Sequence, residues 1–107
     1  MRAEEIMKLS PIVPVIALES EEDALPLANA LLEGGINIME ITLRTQAGLK
    51  AIEIISKHLP HMHVGAGTVL NGDDFKSEVE HGAAFIFSPG ISEDLLQTSK
   101  HTGIALI

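Results

Sequence analysis

The stretch Ile36-Asn37-Ile38-Met39-Glu40-Ile41-Thr42-Leu43-Arg44-Thr45 decides how the rest of the sequence is read. It is an apolar, β-branched run of strand length with one carboxylate in its middle. With a side-chain period of two, Ile36, Ile38, Glu40 and Thr42 share one face, and Asn37, Met39, Ile41 and Leu43 share the other. Both faces are largely apolar, as in a parallel strand covered on both sides. A carboxylate there costs several kcal/mol, on the order given for buried ions, unless it is paired, hydrogen-bonded or protonated. Glu40 is therefore a candidate proton carrier, because desolvation raises a carboxyl pKa toward neutrality. The competing explanation is structural: an ion pair with Arg44, or exposure at the end of the strand.

Similar runs recur outward from this one at 12–18, 62–69, 84–88 and 104–107. A segment of helical pattern separates each from the next, and no hairpin turn joins any two, so the order is β-α-β-α-β-α-β-α-β with parallel pairing through crossovers. Ser20 and Asp23 stand at capping-box spacing before a helix whose Ala24, Leu27, Ala28 and Leu31 fall on one face. Pro26 inside it predicts a kink or a late start, and Gly34-Gly35 end it. The next helix is expected over residues 45–58, with Ile52, Ile55 and Leu59 as its apolar stripe and Ala51 and Ile54 beside it. Shorter helices follow at 73–80 and from Ser92 to Thr102, each stopped by glycine, and residues 3–9 form an extra helix before the first strand.

Residues 1–107 make one α/β domain, too small for two cores. Five parallel strands fit either a complete, open, flavodoxin-type sheet or part of a (β/α)8 barrel, which typically needs ~250 residues. An intact open sheet normally finishes with a helix over its last strand, whereas here the run at 104–107 closes the sequence, which favours the partial TIM barrel: about four βα units plus a fifth strand.

Composition narrows the function. A net charge of -8 argues against nucleic acid or an anionic membrane as partner. With no cysteine there is neither a disulfide framework nor a thiolate metal site, and the absence of any signal-length or membrane-length apolar run points to a cytoplasmic protein. His58, His61 and His63 lie close together, but no carboxylate stands at metal-site spacing, so no metal and no cofactor is expected; His58 suits the negative end of its helix.

The remaining candidates sit where strands end. Arg44 follows the second strand, where a barrel carries its active-site loops, and a guanidinium there suits a carboxylate or phosphate, or is simply a surface charge. In Val64-Gly65-Ala66-Gly67-Thr68-Val69, two glycines weaken a strand unless another group approaches closely. They either pack the barrel centre or leave room for substrate, with the Thr68 hydroxyl or nearby amides binding it. Ser88-Pro89-Gly90 makes a sharp exit from the fourth strand at the same rim.

In combination, Pro14-Val15-Ile16, Met39-Glu40-Ile41-Thr42-Leu43-Arg44-Thr45, Val64-Gly65-Ala66-Gly67-Thr68-Val69-Leu70 and Ser88-Pro89-Gly90 resemble the 2-keto-3-deoxy-6-phosphogluconate (KDPG) / 4-hydroxy-2-oxoglutarate aldolase family, in order and spacing across essentially the whole chain. The resemblance implies a (β/α)8-barrel carbon–carbon lyase, assembled as a homotrimer, that cleaves a small 2-keto-4-hydroxy acid to pyruvate and an aldehyde through a lysine Schiff base, without a metal. By position, Glu40 matches the family's general acid/base, Arg44 and Thr68 match residues binding the pyruvoyl carboxylate, and Pro89 lines the same pocket. The lysine of that family stands on the sixth strand, which this sequence does not include; Lys50, Lys57, Lys76 and Lys100 fall in expected helices. The 107-residue chain is therefore expected to be inactive alone. Two other readings are a non-catalytic half-barrel that assembles with itself or with a C-terminal half, and a flavodoxin-like binding domain, for which Glu19 after the first strand is the only acidic support.

Overall fold

A computed structural model describes residues 1–107. Its elements are α1 (Ala3–Met7), β1 (Val15–Ile16), α2 (Ala24–Glu33), β2 (Ile38–Thr42), α3 (Ala47–His58), β3 (His63–Gly67), α4 (Gly72–Glu80), β4 (Phe85–Ile86), α5 (Glu93–Thr102) and β5 (Ala105–Leu106). All strands are parallel and lie in the order β1-β2-β3-β4-β5. Each crossover steps one strand in the same direction. That excludes the flavodoxin-like alternative, whose strand order reverses direction once, and leaves the partial barrel.

Alternation along the strands separates two packing faces. Met39 and Ile41 of β2, Val64 and Ala66 of β3 and Ile86 of β4 join Ala28, Ala51, Ile52, Ile55, Phe75 and Leu95 in the main core between sheet and helices. The intervening residues face the other way, where Ile38 and Phe85 meet Ile6 of α1 in a second small cluster. Both Ile38 and Phe85 begin their strands, so α1 covers the N-terminal mouth of the curved sheet.

Most strands are shorter than the apolar runs. Pro14 deprives the first run of a donor, and its ladder reduces to Val15 and Ile16, although Pro14 still accepts from the Glu40 N–H at 2.9 Å. Elsewhere pairing outlasts the regular strand: Phe87 donates to Ala66 O and Ile107 to Ile86 O, each at 2.8 Å.

The helix starts follow local side-chain chemistry. Ser20 accepts from the Glu22 N–H and opens a 3-10 turn, Glu21–Asp23, without a reciprocal bond from Asp23, so the expected capping box does not form. The helix proper starts late, and Pro26 becomes its third residue, where an N–H has no intrahelical partner to lose. Asn71 caps α4 through the Asp74 N–H at 2.8 Å, and Ser92 caps α5 through the Leu95 N–H at 3.2 Å. α3 begins at Ala47 rather than Thr45 and buries Gly48, Ala51, Ile52 and Ile55, with Leu59 and Ile54 only half-buried. A Cβ at Gly48 would lie 2.7 Å from the Thr42 carbonyl oxygen, so α3 rests directly on the C-terminal end of β2.

Candidate active site

Glu40 projects from the middle of β2 onto the inner face of the sheet, between Val15 of β1 and Gly65 of β3 in register. It is 8% exposed, and its carboxylate has no hydrogen bond and no ion pair. The ion pair with Arg44 is thus not what holds it. Burial raises the Glu40 carboxyl above its ordinary 4.5, while the Arg44 charge, acting from a distance, pulls the other way. A carboxylate so placed holds a proton more readily than a solvated one and can exchange it without first breaking a salt bridge.

The glycines of β3 serve close packing. A Cβ on Gly67 would overlap the Glu40 carboxylate, coming within 2.9 Å of Cγ, and a Cβ on Gly65 would enter the ring of Phe85. The idea that they leave room for substrate is corrected accordingly: Phe85 fills the space over Gly65, and Glu40 itself leans over Gly67.

Arg44, Thr68 and Pro89 follow the C-terminal ends of β2, β3 and β4, and all three are exposed. The ends are held level by the Leu43 N–H to Gly67 O at 3.2 Å and the Val69 N–H to Phe87 O at 3.3 Å. Thr68 has φ 63 and is the only non-glycine residue at positive φ. For a β-branched residue that conformation costs on the order of 1–3 kcal/mol, and such strain concentrates where a side chain must be aimed. Pro89 and Gly90 line a groove of about 350 Å³ with Leu70, Ile91, Ser92 and Leu95, and the Ser88 hydroxyl donates to Gly90 O at 2.6 Å.

Two rim features escape a reading of the sequence. The Thr45 hydroxyl donates to the Leu18 carbonyl, tying the loop that carries Arg44 to the loop after β1. Thr42, 2% exposed, keeps its hydroxyl unpartnered two residues along the strand from Glu40. Thr42 was visible only as an inward residue of the alternation, and the Thr45 bond spans 27 positions, beyond any local pattern.

The histidines do not converge. His58 Nδ1 lies 2.9 Å from Ile54 O on its own helix, and no three His, Asp or Glu side chains stand in metal-holding geometry. All five lysines (Lys8, Lys50, Lys57, Lys76 and Lys100) are exposed. Lys100 lines an outer groove of about 460 Å³ between α5 and β5, with Ile91, Leu96 and Ile107.

A sequential parallel sheet with its crossover helices α2–α5 packed on one face and a lone acid on the other is the architecture of a partial (β/α) barrel, and that is the class of protein described. A family model for the KDPG and KHG aldolases matches residues 3–107, and the chain belongs to that family. It is 45% identical over 105 residues to the KHG/KDPG aldolase of Escherichia coli (strain K12), covering 98% of this chain and 49% of that protein. The crystal structure of the KDPG aldolase from Legionella pneumophila, with pyruvate captured as a covalent carbinolamine intermediate, superposes with a TM-score of 0.96 at 41% identity, covering all of this chain and 52% of that one. The 2-keto-3-deoxy-6-phosphogluconate aldolase from Zymomonas mobilis ATCC 29191 gives 0.94 at 41%, with the same coverage. The chain spans about half the length of the relatives it matches.

Proposed function

We propose that this chain supplies the proton-transfer and carboxylate-binding half of a class I aldolase site, acting on KDPG or 4-hydroxy-2-oxoglutarate to give pyruvate and an aldehyde. The observation that carries this reading is Glu40: a buried carboxylate, free of any ion pair, on the inner face of a barrel sheet. In this role Glu40 takes the C4 hydroxyl proton as the C3–C4 bond breaks and returns a proton to C3 of the pyruvate fragment. Arg44 binds the pyruvoyl carboxylate through charged hydrogen bonds, Thr68 adds a hydroxyl, and Pro89 forms the wall of the pocket. The electron sink, a protonated imine on lysine, belongs to the other half of the barrel. The Legionella pneumophila structure, which holds pyruvate covalently, supports imine chemistry for a barrel of this kind. We assign the whole enzyme to the cytoplasm as a homotrimer on the family resemblance alone. No helix of the chain is long and apolar enough to cross a membrane.

Such a split between two halves has a sharp consequence for the chain by itself. Incubated with pyruvate and borohydride, the 107-residue chain is expected to show no pyruvate adduct by intact mass, because all of its lysines are exposed and none stands on a strand. Joined to the C-terminal half of the Escherichia coli relative, it is expected to trap one pyruvate per chain and to release pyruvate from KDPG. A stoichiometric adduct on the isolated chain would refute the division of labour.

A further inference from the structure

The chain buries a second carboxylate that the proposed chemistry does not use. Glu78 lies in the last turn of α4, 3% exposed, with Oε2 lacking any hydrogen-bond partner. Its surroundings are tight. The Glu78 carbonyl accepts from the Ala83 N–H at 3.0 Å as the chain turns through Gly82 at φ 110, and a Cβ on Gly82 would lie 2.8 Å from Ser56 Cβ on α3. The Ser56 hydroxyl reaches the His81 carbonyl at 3.4 Å. The turn that ends α4 therefore rests on α3, and the last turn of the same helix carries a buried, unpaired acid.

We propose that Glu78 is folded into this joint as the neutral acid and acts as a proton-keyed latch: its ionisation loosens the end of α4 from α3. An unpartnered charge cannot remain in such a site without drawing in water or moving the helix. The neighbours supply no counter-charge strong enough to hold it ionised. On α4, His81 favours the anion but has Nδ1 on Ser77 O at 2.7 Å, and Asp74 opposes it. On α3, Lys50 and Lys57 both engage Glu53. On α5, Asp94 accepts from the Gly72 N–H at 2.6 Å, and His101 Nδ1 lies on Gln97 O. The helix-facing side of the sheet, Val64 and Ala66 of β3 and Ile86 of β4, offers no titratable group.

Burial, reinforced by Asp74, pushes the Glu78 carboxyl from 4.5 to about 7. Because the folded value is the higher one, this group's contribution to stability is complete below pH 4.5 and is lost as pH rises through about 7.

Urea unfolding of the 107-residue chain and of Glu78→Gln, from pH 4.5 to 8.5, tests the latch, with Gln as an uncharged isostere. The ratio of folding constants, Gln variant over wild type, is expected to rise with pH and level off above neutrality. The total change is on the order of 100-fold, because protonation equilibria one pH unit apart differ tenfold. Carboxyl ¹³C NMR of the wild-type chain is expected to show Glu78 titrating near neutral pH, and decides the matter should the variant fail to fold. Parallel pH dependence in the two proteins, or a Glu78 midpoint in the ordinary carboxylate range, would overturn it.

Discussion

Replacing Glu40 with Gln is expected to lower the turnover of a barrel completed with the Escherichia coli C-terminal half by about 10²–10⁴-fold, the usual yield of a positioned acid/base group. Gln preserves shape and can still hydrogen bond, so binding of the pyruvoyl carboxylate by Arg44 should change little and KM should move far less than kcat. What it cannot do is accept or return a proton. The variant should be no less stable than the parent, since it removes an ionisable group that is 8% exposed and has no partner. Pyruvate release, followed at saturating and limiting KDPG, separates the two parameters. Undiminished kcat would mean that another group moves the proton.

Gly65→Ala should be the most damaging single methyl addition in the protein. The new Cβ would fall within the ring of Phe85. That ring cannot retreat: it is fully buried, packs with Ile6 and Ile38 beneath α1, and meets Phe87 edge-on with centroids 5.4 Å apart. A loss of roughly 3 kcal/mol is expected, the upper part of the range for overpacking and a large share of a small domain's stability. Gly90→Ala is the control, because nothing lies within 4 Å of its Cβ position. Adding Phe85→Leu to Gly65→Ala should restore part of the loss, so that the two changes are strongly non-additive in denaturant titrations. Equal, small effects at Gly65 and Gly90 would contradict the packing.

The fold was legible where residues act through periodicity. Alternation in β2 placed Glu40 and Thr42 on one face, and glycine stops marked the ends of α2, α4 and α5. The choice between open sheet and barrel was not visible locally, because strand order is a property of the crossovers, and only the sequential order settles it. The paired glycines of β3 were recognised as a site of close approach, but the approaching groups come from neighbouring strands, Phe85 from β4 and Glu40 from β2. Thr68 could be proposed from its place after a strand, yet its φ of 63 runs against the preference of a β-branched residue and comes from the surrounding rim. Glu78 was hidden for the opposite reason. In Lys76-Ser77-Glu78-Val79-Glu80 it reads as part of a solvated helix face, and only tertiary packing, which local sequence does not show, buries it.

Everything proposed for the site depends on Glu40 being a poorly solvated, unpaired acid within reach of the Arg44 field. Carboxyl ¹³C NMR titration of the 107-residue chain, with and without Arg44→Ala, measures this directly. A Glu40 midpoint above 4.5 is expected, rising further when the Arg44 charge is removed. A midpoint at or below 4.5, unmoved by loss of Arg44, would place the carboxylate in solvent and rule out a buried proton carrier at this position.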